Sequence, residues 1–376
     1  MPDNHPGRIP GDFDLQPLHY HPRSPLQAWN AADELLLQYS MDSDITTNPH
    51  RILVVNDSAG ALAIAWQVHH PHSWLDSATA RLALENNLGR NGLATDSVIC
   101  LRADQTPVGI YDLVLMQLPK TLSLLDYQLC ILRNHIGQHS QVLAAGMVKH
   151  MTPAQTERFQ QIIGPCQVSR AQKKARLIQA RLDPQRPSPQ MPPSTTYPIP
   201  GSPLQLVNHA HVFSRERLDI GTRFLLQHFP DLSGARTILD LGCGNGALGI
   251  YAAWQQPQAK IHFVDDSALA LLSARESVDL NHLPNPVHFH HDDSLTHFDG
   301  KVDSVLCNPP FHEGNRVHTD IARRMFRDAA RHLNPGGTLY VVANRHLDYR
   351  PLLQRHFHNV QQLAANPKFV IVKAAM

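Results

Sequence analysis

The stretch Ala235–Gly249, ARTILDLGCGNGALG, decides how the rest of the chain is read. An apolar run ends on a carboxylate, Asp240, and three alternating glycines follow, Gly242, Gly244 and Gly246. Glycines let a backbone turn tightly and approach a ligand, and the helix behind them presents its N-terminal N–H groups at the same place. The pattern describes a nucleotide-like pocket at the end of a buried strand. Because GNGALG also satisfies the dinucleotide pattern, the glycines alone leave a nicotinamide cofactor and S-adenosylmethionine equally open.

Working downstream, KIHFVDD, PVHFHHDD, VDSVLCN and GTLYVVAN read as further strands. Amphipathic stretches starting near Gly246, Ala268, Thr319 and Leu347 lie between them, which predicts a wound, mostly parallel α/β sheet. VQQLAAN, Pro367 and KFVIVKA add two strands across a short turn, so a seven-stranded sheet is expected to end in an antiparallel hairpin. Asp265 ends the second strand, where it suits ribose hydroxyls, and Asp293 ends the third, where it suits an adenine amino group. Asp266 is read as a helix cap and Asp292 as a solvated neighbour of Asp293.

The fourth strand runs into SVLCNPPFHEGN, Ser304–Asn315. Prolines donate nothing to a ladder and stiffen the chain, so Asn308, Pro309 and Pro310 predict a rigid loop at the strand's C-terminal end, where α/β sheets place chemistry. An exocyclic base amine is a poor nucleophile because its lone pair is delocalised into the ring. If the Asn308 side-chain oxygen and the Pro309 carbonyl accept its two N–H groups, the nitrogen pyramidalises and aims its lone pair at a sulfonium methyl. Phe311 is then placed to stack on a base taken out of its helix. No strong general base is required, since the alkylated nitrogen is acidic enough to lose its proton to water. This stretch favours S-adenosylmethionine over nicotinamide.

Upstream the pattern recurs. RILVVNDSAGALAIAW (Arg51–Trp66) echoes RTILDLGCGNGALGIYAAW (Arg236–Trp254), Asp76-Ser77-Ala78 echoes Asp266-Ser267-Ala268, DLVLMQLPK echoes DSVLCNPP, and ADELLLQYS echoes GTRFLLQHF, at an offset of about 190 residues. The expectation is a duplicated domain: residues 1–182 a degenerate copy, 183–200 a linker, 201–376 the catalytic copy. The linker, DPQRPSPQMPPSTTYPIP, is crowded with proline and has no apolar periodicity. Gly242 and Gly244 lack glycine counterparts, Asp240 falls opposite Val54, and Asn308 is read opposite Leu118. The first copy keeps the fold and has lost the site.

Composition narrows the function classes. A net charge of +1 over 376 residues gives no global signal for nucleic acid, so RNA contact must come from local charge. Two clusters offer it: Arg316, Arg323, Arg324, Arg327 and Arg331 after the proline loop, and Arg170, Lys173, Lys174, Arg176 and Arg181 at the end of the first copy. Five scattered cysteines without a C-x-x-C pair argue against a zinc site or disulfide framework and for a reduced, cytoplasmic setting. No metal is expected from the histidines His69, His70, His72, His288, His290 and His291, read as solvated or edge residues. The N-terminus lacks an apolar signal region and no apolar run is long enough for a bilayer, so no membrane partner is expected.

Taken together, DLGCGNGALG, FVDDS, LCNPPFHEG and VANRHLDY, with HVFSRERLDIG before the first strand and KKARLI closing the first half, resemble the class I S-adenosylmethionine-dependent methyltransferases that modify guanine N2 in ribosomal RNA. The resemblance covers almost the whole chain and implies two tandem Rossmann-like methyltransferase domains. It implies that Asp240, Gly242, Gly244, Gly246, Asp265, Asp293 and Asn308 contact the cofactor, Asn308 to Phe311 the guanine, and Ser214, Arg215 and Asp219 a segment closing over the cofactor. It implies 23S ribosomal RNA as substrate and a chain able to act as a monomer. The alternatives are a 16S guanine-N2 enzyme, a protein glutamine-N5 methyltransferase, and a nonenzymatic RNA-binding assembly factor. Asp293 stands where the family pattern has asparagine, which leaves its charge without an account in the sequence.

Overall fold

The structure, a computed structural model, describes residues 10–19, 27–41, 51–310 and 316–376. It divides into two compact units, Met1–Pro192 and Pro193–Met376. The division falls inside the expected linker, yet the linker is not structureless throughout, because Thr195–Pro198 forms a strand.

The first unit runs α1 (Ala31–Met41), β1 (Ile52–Val55), α2 (Ala61–Ala65), β2 (His72–Leu75), α3 (Ala78–Arg90), β3 (Ile99–Arg102), β4 (Tyr111–Gln117), α4 (Leu122–Leu132), β5 (Ile136–Met147), α5 (Pro153–Ile162), β6 (Cys166–Val168) and β7 (Ala175–Ala180). The second runs β8 (Thr195–Pro198), β9 (Gln205–Asn208), α6 (Ile220–Gln227), β10 (Thr237–Leu241), α7 (Ala247–Gln255), β11 (Lys260–Asp265), α8 (Ala268–Leu280), β12 (Val287–His291), β13 (Val302–Cys307), α9 (Arg316–His332), β14 (Leu333–Asn344), α10 (Arg350–Leu353), β15 (Asn359–Ala365) and β16 (Phe369–Ala375). Central strands such as ILVV in β1 are buried on both faces, which is why they read as unbroken apolar runs rather than alternating ones. The helix expected near Thr319 begins at Arg316, and the one expected near Leu347 is a 3-10 turn, Arg345–Leu347, followed by α10.

Both sheets have the same order, β3-β2-β1-β4-β5-β7-β6 and β12-β11-β10-β13-β14-β16-β15. In the second sheet β10 to β14 pair in parallel, and β16 runs antiparallel to both β14 and β15, which is the expected hairpin. The connection order reverses between β10 and β13, so a crevice opens at their C-terminal ends, where the glycine loop and the Asn-Pro-Pro loop both emerge.

Local detail supports two copies of one fold. Gly60 and Gly246 precede α2 and α7 at φ 81 and 83, and Ser77 and Ser267 cap α3 and α8 by accepting from Ala80 N and Ala270 N. The ladders correct one reading. Val54 pairs with Leu115 and Asp240 with Leu306, so the residue matching Asn308 is Gln117, not Leu118. Both amides are held by hydrogen bonds to an acid: Gln117 Nε2 donates to Asp33 and Asn308 Nδ2 to Asp219.

In the first unit the loop after β1 is held by its own side chains. Asp57 is fully buried and its carboxylate accepts from the N–H groups of Gly60, Ala61, Leu62 and Ala63, taking the free donors at the start of α2. Asn56, at φ 62 where Gly242 stands in the second unit, is tied amide to amide with Gln128. The four N–H groups that open α2 are therefore already taken by Asp57.

Among the described residues no group of three His, Cys, Asp or Glu is arranged to hold a metal. His262 on β11 instead bonds His290 at 2.9 Å and stacks on His288 and His290. Burial, and then the two neighbouring imidazoles, push His262 down to about 4. Between the ordinary value of 6.5 and 4 the unfolded chain binds a proton that the folded chain does not. The folded state therefore loses stability as pH falls from 7 to 5, and solvent screening of the half-buried ring holds that loss to about 1 kcal/mol or less for this group. Thermal melts at pH 7.5 and 5.0 should show a smaller acid-side loss in His262→Phe than in the native chain; equal losses would remove the assignment.

Candidate active site

β10 delivers Asp240 to the base of the glycine loop, where it is buried and its Oδ2 accepts from Gly249 N of α7 at 2.7 Å. Burial pushes its carboxyl up to about 8, with Asp265 adding to the rise. The loop is fastened to the neighbouring strand, because Gly242 N and Cys243 N both donate to Val264 O. Gly244, at φ +56, donates its N–H to Asp265 Oδ2 at 2.7 Å, and a Cβ there would meet nothing within 4 Å. It faces open space in a conformation that disfavours side chains. Gly246 has a different reason, since a Cβ would lie 3.0 Å from Ala274 of α8. Asp265 Oδ1 accepts from Ser267 N, so the acid ending β11 is braced by two backbone donors beside the loop.

On the other wall of the crevice Asn308 leaves β13. Its Nδ2 donates to Asp219 Oδ2 at 3.0 Å and to Thr222 Oγ1 at 2.9 Å. Asp219 is also the N-cap of α6 and accepts from Thr222 N. Both amide hydrogens are thus committed, which fixes the flip state of the side chain. Asn308 Oδ1 is buried and has no hydrogen-bond partner among the described residues. Leaving a buried acceptor unmet costs about 1–3 kcal/mol, so its persistence points to a ligand donor. Pro309 is buried, Pro310 is exposed, and Phe311 lies outside the described residues.

Other expectations are redistributed. Of the pre-strand trio only Asp219 reaches Asn308; the Ser214 carbonyl accepts from Tyr197 Oη, and Arg215 donates to Pro193 O. Asp266 is exposed and the cap of α8 is Ser267. Asp292 is buried rather than solvated, accepting from Asp293 N and His297 N to close the loop after β12. Asp293 pairs with Arg324 at 3.3 Å, which accounts for its charge. The same pairing habit changes the reading of α9: Arg323 pairs with Asp320, and Arg327 and Arg331 with Asp328, so this face offers less free charge than its sequence implies. In the first unit Lys173 pairs with Glu34, while Arg170, Lys174, Arg176 and Arg181 have no ion pair among the described residues.

Sequence reading missed Thr222 and a network around Asn245. Asn245 Nδ2 donates to Asn208 Oδ1 and Tyr197 Oη, tying the glycine loop to the β8–β9 hairpin. Its place between Gly244 and Gly246 was the available signal.

Residues 203–373 match the family described as methyltransferase small domain, and residues 10–184 the RLMG N-terminal domain. The chain is 48% identical over 355 residues to a ribosomal RNA large subunit methyltransferase G of Pseudomonas paraeruginosa, covering 93% of this chain and 94% of that protein. It is 45% identical over 365 residues to the protein of the same name from Stutzerimonas stutzeri, covering 96% of each. Its fold is similar to that of a 16S rRNA N2 methyltransferase of T. thermophilus solved with AdoMet and guanosine, at TM-score 0.72 and 22% identity over 86% of this chain and 87% of that one.

Proposed function

This chain belongs to the ribosomal RNA large subunit methyltransferase G family, and from that premise we propose that it methylates the exocyclic N2 of one guanosine in 23S ribosomal RNA with S-adenosylmethionine as donor. The observation that carries the site assignment is the buried Asn308 Oδ1, without a hydrogen-bond partner among the described residues, at the end of the strand that neighbours the one leading into the Gly244 loop.

The residues fit the cofactor. Gly244 leaves room for close approach, Gly242 and Gly246 shape the loop, Asp265 would take ribose hydroxyls on a carboxylate braced by two backbone donors, and Asp293, paired with Arg324, would accept from the adenine amine. Asp240 positions the loop from beneath through Gly249 N. Bound there, S-adenosylmethionine supplies an electrophilic methyl on a sulfonium and leaves as the neutral thioether.

On the protein side, Asn308 Oδ1 accepts one N–H of the guanine amine and the Pro309 carbonyl the other. Thr222 and Asp219 hold the amide so that its oxygen, and not its NH2, faces the base. Preorganised acceptors of this kind cost no reorganisation in the transition state. The nitrogen gains a methyl and gives one proton to water. Phe311 stacks on the extruded base, and Pro310 stiffens the loop between them. The reaction so read needs no metal and no residue from a second copy, and it runs where ribosomal RNA is made, in the cytoplasm. Residues 1–182 grip the RNA, with Arg170, Lys174, Arg176 and Arg181 as its unpaired cations.

Incubating the purified chain with unmodified 23S RNA and methyl-labelled cofactor, then digesting to nucleosides, should yield N2-methylguanosine. Label found only in 16S RNA, in adenosine or in protein would sink the reading, as would no transfer at all. Repeating the assay with residues 183–376 should raise KM for RNA while leaving the cofactor Kd unchanged.

A further inference from the structure

A recess of about 470 Å³ opens at the end of β14, lined by Asn344, Arg345, His346, Pro367 and Lys368. It is within the size range of ligand pockets, roughly 300–1,000 Å³. The VANRHLDY stretch that supplies half of it has no role in the chemistry above.

Its position ties it to the active site. β14 lies beside β13, with Cys307 opposite Val341, so Asn344 stands on the same C-terminal edge as Asn308 and two residues further along. Phe369, next to Lys368, pairs with Asn344, and its ring lies 3.2 Å from where a Gly221 Cβ would be. That same point is 3.0 Å from Asp219 Oδ2, the oxygen that holds Asn308. The start of α6 therefore lies between the acid that holds Asn308 and Phe369, the residue next to Lys368 of the lining.

The lining has a definite chemistry. Arg345 and Lys368 have no carboxylate partner among the described residues, in contrast to the arginines of α9. Their backbones are locked together, since Arg345 N donates to Lys368 O at 2.9 Å, and Asn366 Oδ1 accepts from Lys368 N and Phe369 N. Asn344 Oδ1 is buried and without a hydrogen-bond partner among the described residues. The Lys368 ammonium lies over the Phe369 ring at 5.4 Å, so two exposed cations on a tied backbone, neither with a described carboxylate partner, ask for an anion at the rim, and the acceptor on Asn344 asks for a hydrogen-bond donor on the same ligand. A bare phosphate supplies the first only; a nucleotide supplies both, through its phosphate and through a base amine, ring N–H or ribose hydroxyl.

We propose that this recess is a flanking-nucleotide subsite, which holds the RNA residue next to the target guanosine with its phosphate between Arg345 and Lys368 and a donor on Asn344 Oδ1. The inference rests on the RNA reading above and adds to it a residue-level source of sequence context, since enzymes acting on an extruded base commonly set context through the neighbouring nucleotides.

The test uses the full chain, unmodified 23S RNA with cofactor present, and filter binding over a salt series. Arg345→Ala/Lys368→Ala should weaken RNA binding at least tenfold and flatten the slope of log K against log salt by about 1, the contribution of one phosphate. Asn344→Ala should weaken binding several-fold with the slope unchanged, because the lost contact is neutral. Cofactor Kd by calorimetry should stay at the native value in all of them, and Arg345→Lys/Lys368→Arg should keep the native slope. Native affinity and slope in the double alanine variant would overturn the subsite. So would a loss of cofactor affinity, which would make the recess part of the cofactor pocket. If the native chain binds the RNA but forms no N2-methylguanosine, the reaction reading fails while the slopes still judge the recess; if it binds no RNA, the subsite falls with it.

Discussion

Asn308→Ala should bind S-adenosylmethionine as the native chain does and transfer the methyl group at least about 10²-fold more slowly, the scale for losing one preorganised polar contact. The side chain touches neither the glycine loop nor Asp265 in any bond described, and its Nδ2 is committed to Asp219 and Thr222. Its loss therefore falls on the base amine, and on Asp219 and Thr222, which lose a donor, but not on the glycine loop. A sharper pair of substitutions follows from the same geometry. Asn308→Asp keeps an acceptor toward the amine but sets a second carboxylate against Asp219 in place of a 3.0 Å donor. Two carboxylates sharing a site cannot both ionise, so this variant should also be slow. Adding Asp219→Asn restores a donor to the new carboxylate and still caps α6, because asparagine is as good an N-cap as aspartate. The double variant should recover part of the rate. Single-turnover assays at saturating RNA and cofactor read this directly. Near-native transfer by Asn308→Ala would mean that the Asn-Pro-Pro loop is only a turn; a double variant no faster than Asn308→Asp would remove the orienting role of Asp219.

The fold was legible because its signals are local. Buried parallel strands write themselves as short apolar runs, and Gly246, Pro309 and Pro310 punctuate them. The site was legible only as far as strand ends reach. Asp240, Asp265, Asp293 and Asn308 all lie where the sequence places them, but what each does depends on partners far along the chain. Asn308 is bonded to residues 86 and 89 positions away, and Asp293 to Arg324, 31 away. No periodicity carries such pairings. The slip from Gln117 to Leu118 has a plain cause: setting Pro119 against Pro309 shifts the comparison by one residue, whereas the ladder matches Pro119 to Pro310. Charge was the least legible property. The arginines of α9 look like a phosphate-binding face until their aspartate partners are seen, and Arg345 and Lys368, far apart in sequence, are brought together by the backbone where the β14–β16 ladder ends.

The whole chain should bind one S-adenosylmethionine, and Gly244→Val should leave it binding none. Duplication of the fold invites a stoichiometry of two, since both units have the same strand order and the same glycine-capped helix after their first central strand. The chemistry of the two loops decides against it. In the first unit Asp57 puts its own carboxylate on the opening N–H groups of α2, and burial, the largest influence, holds its carboxyl above the ordinary range despite those bonds. An incoming carboxylate would have to displace a covalently tethered one already in place. In the second unit the matching residue is Cys243, which reaches only the carbonyl of Gly244, and the space above Gly244 is clear for 4 Å. A valine there takes that space and must adopt a left-handed backbone, which for a side-chain-bearing residue costs about 1–2 kcal/mol before any clash with the cofactor. The combined effect should be a rise in Kd of about 10²-fold or more, beyond the range of an ordinary titration. Calorimetry on the native chain and the variant, with thermal melts to show that the variant is folded, measures both quantities. Two sites per native chain, or one site surviving in Gly244→Val, would place a cofactor where Asp57 stands and would end the argument that the first unit closes its own site.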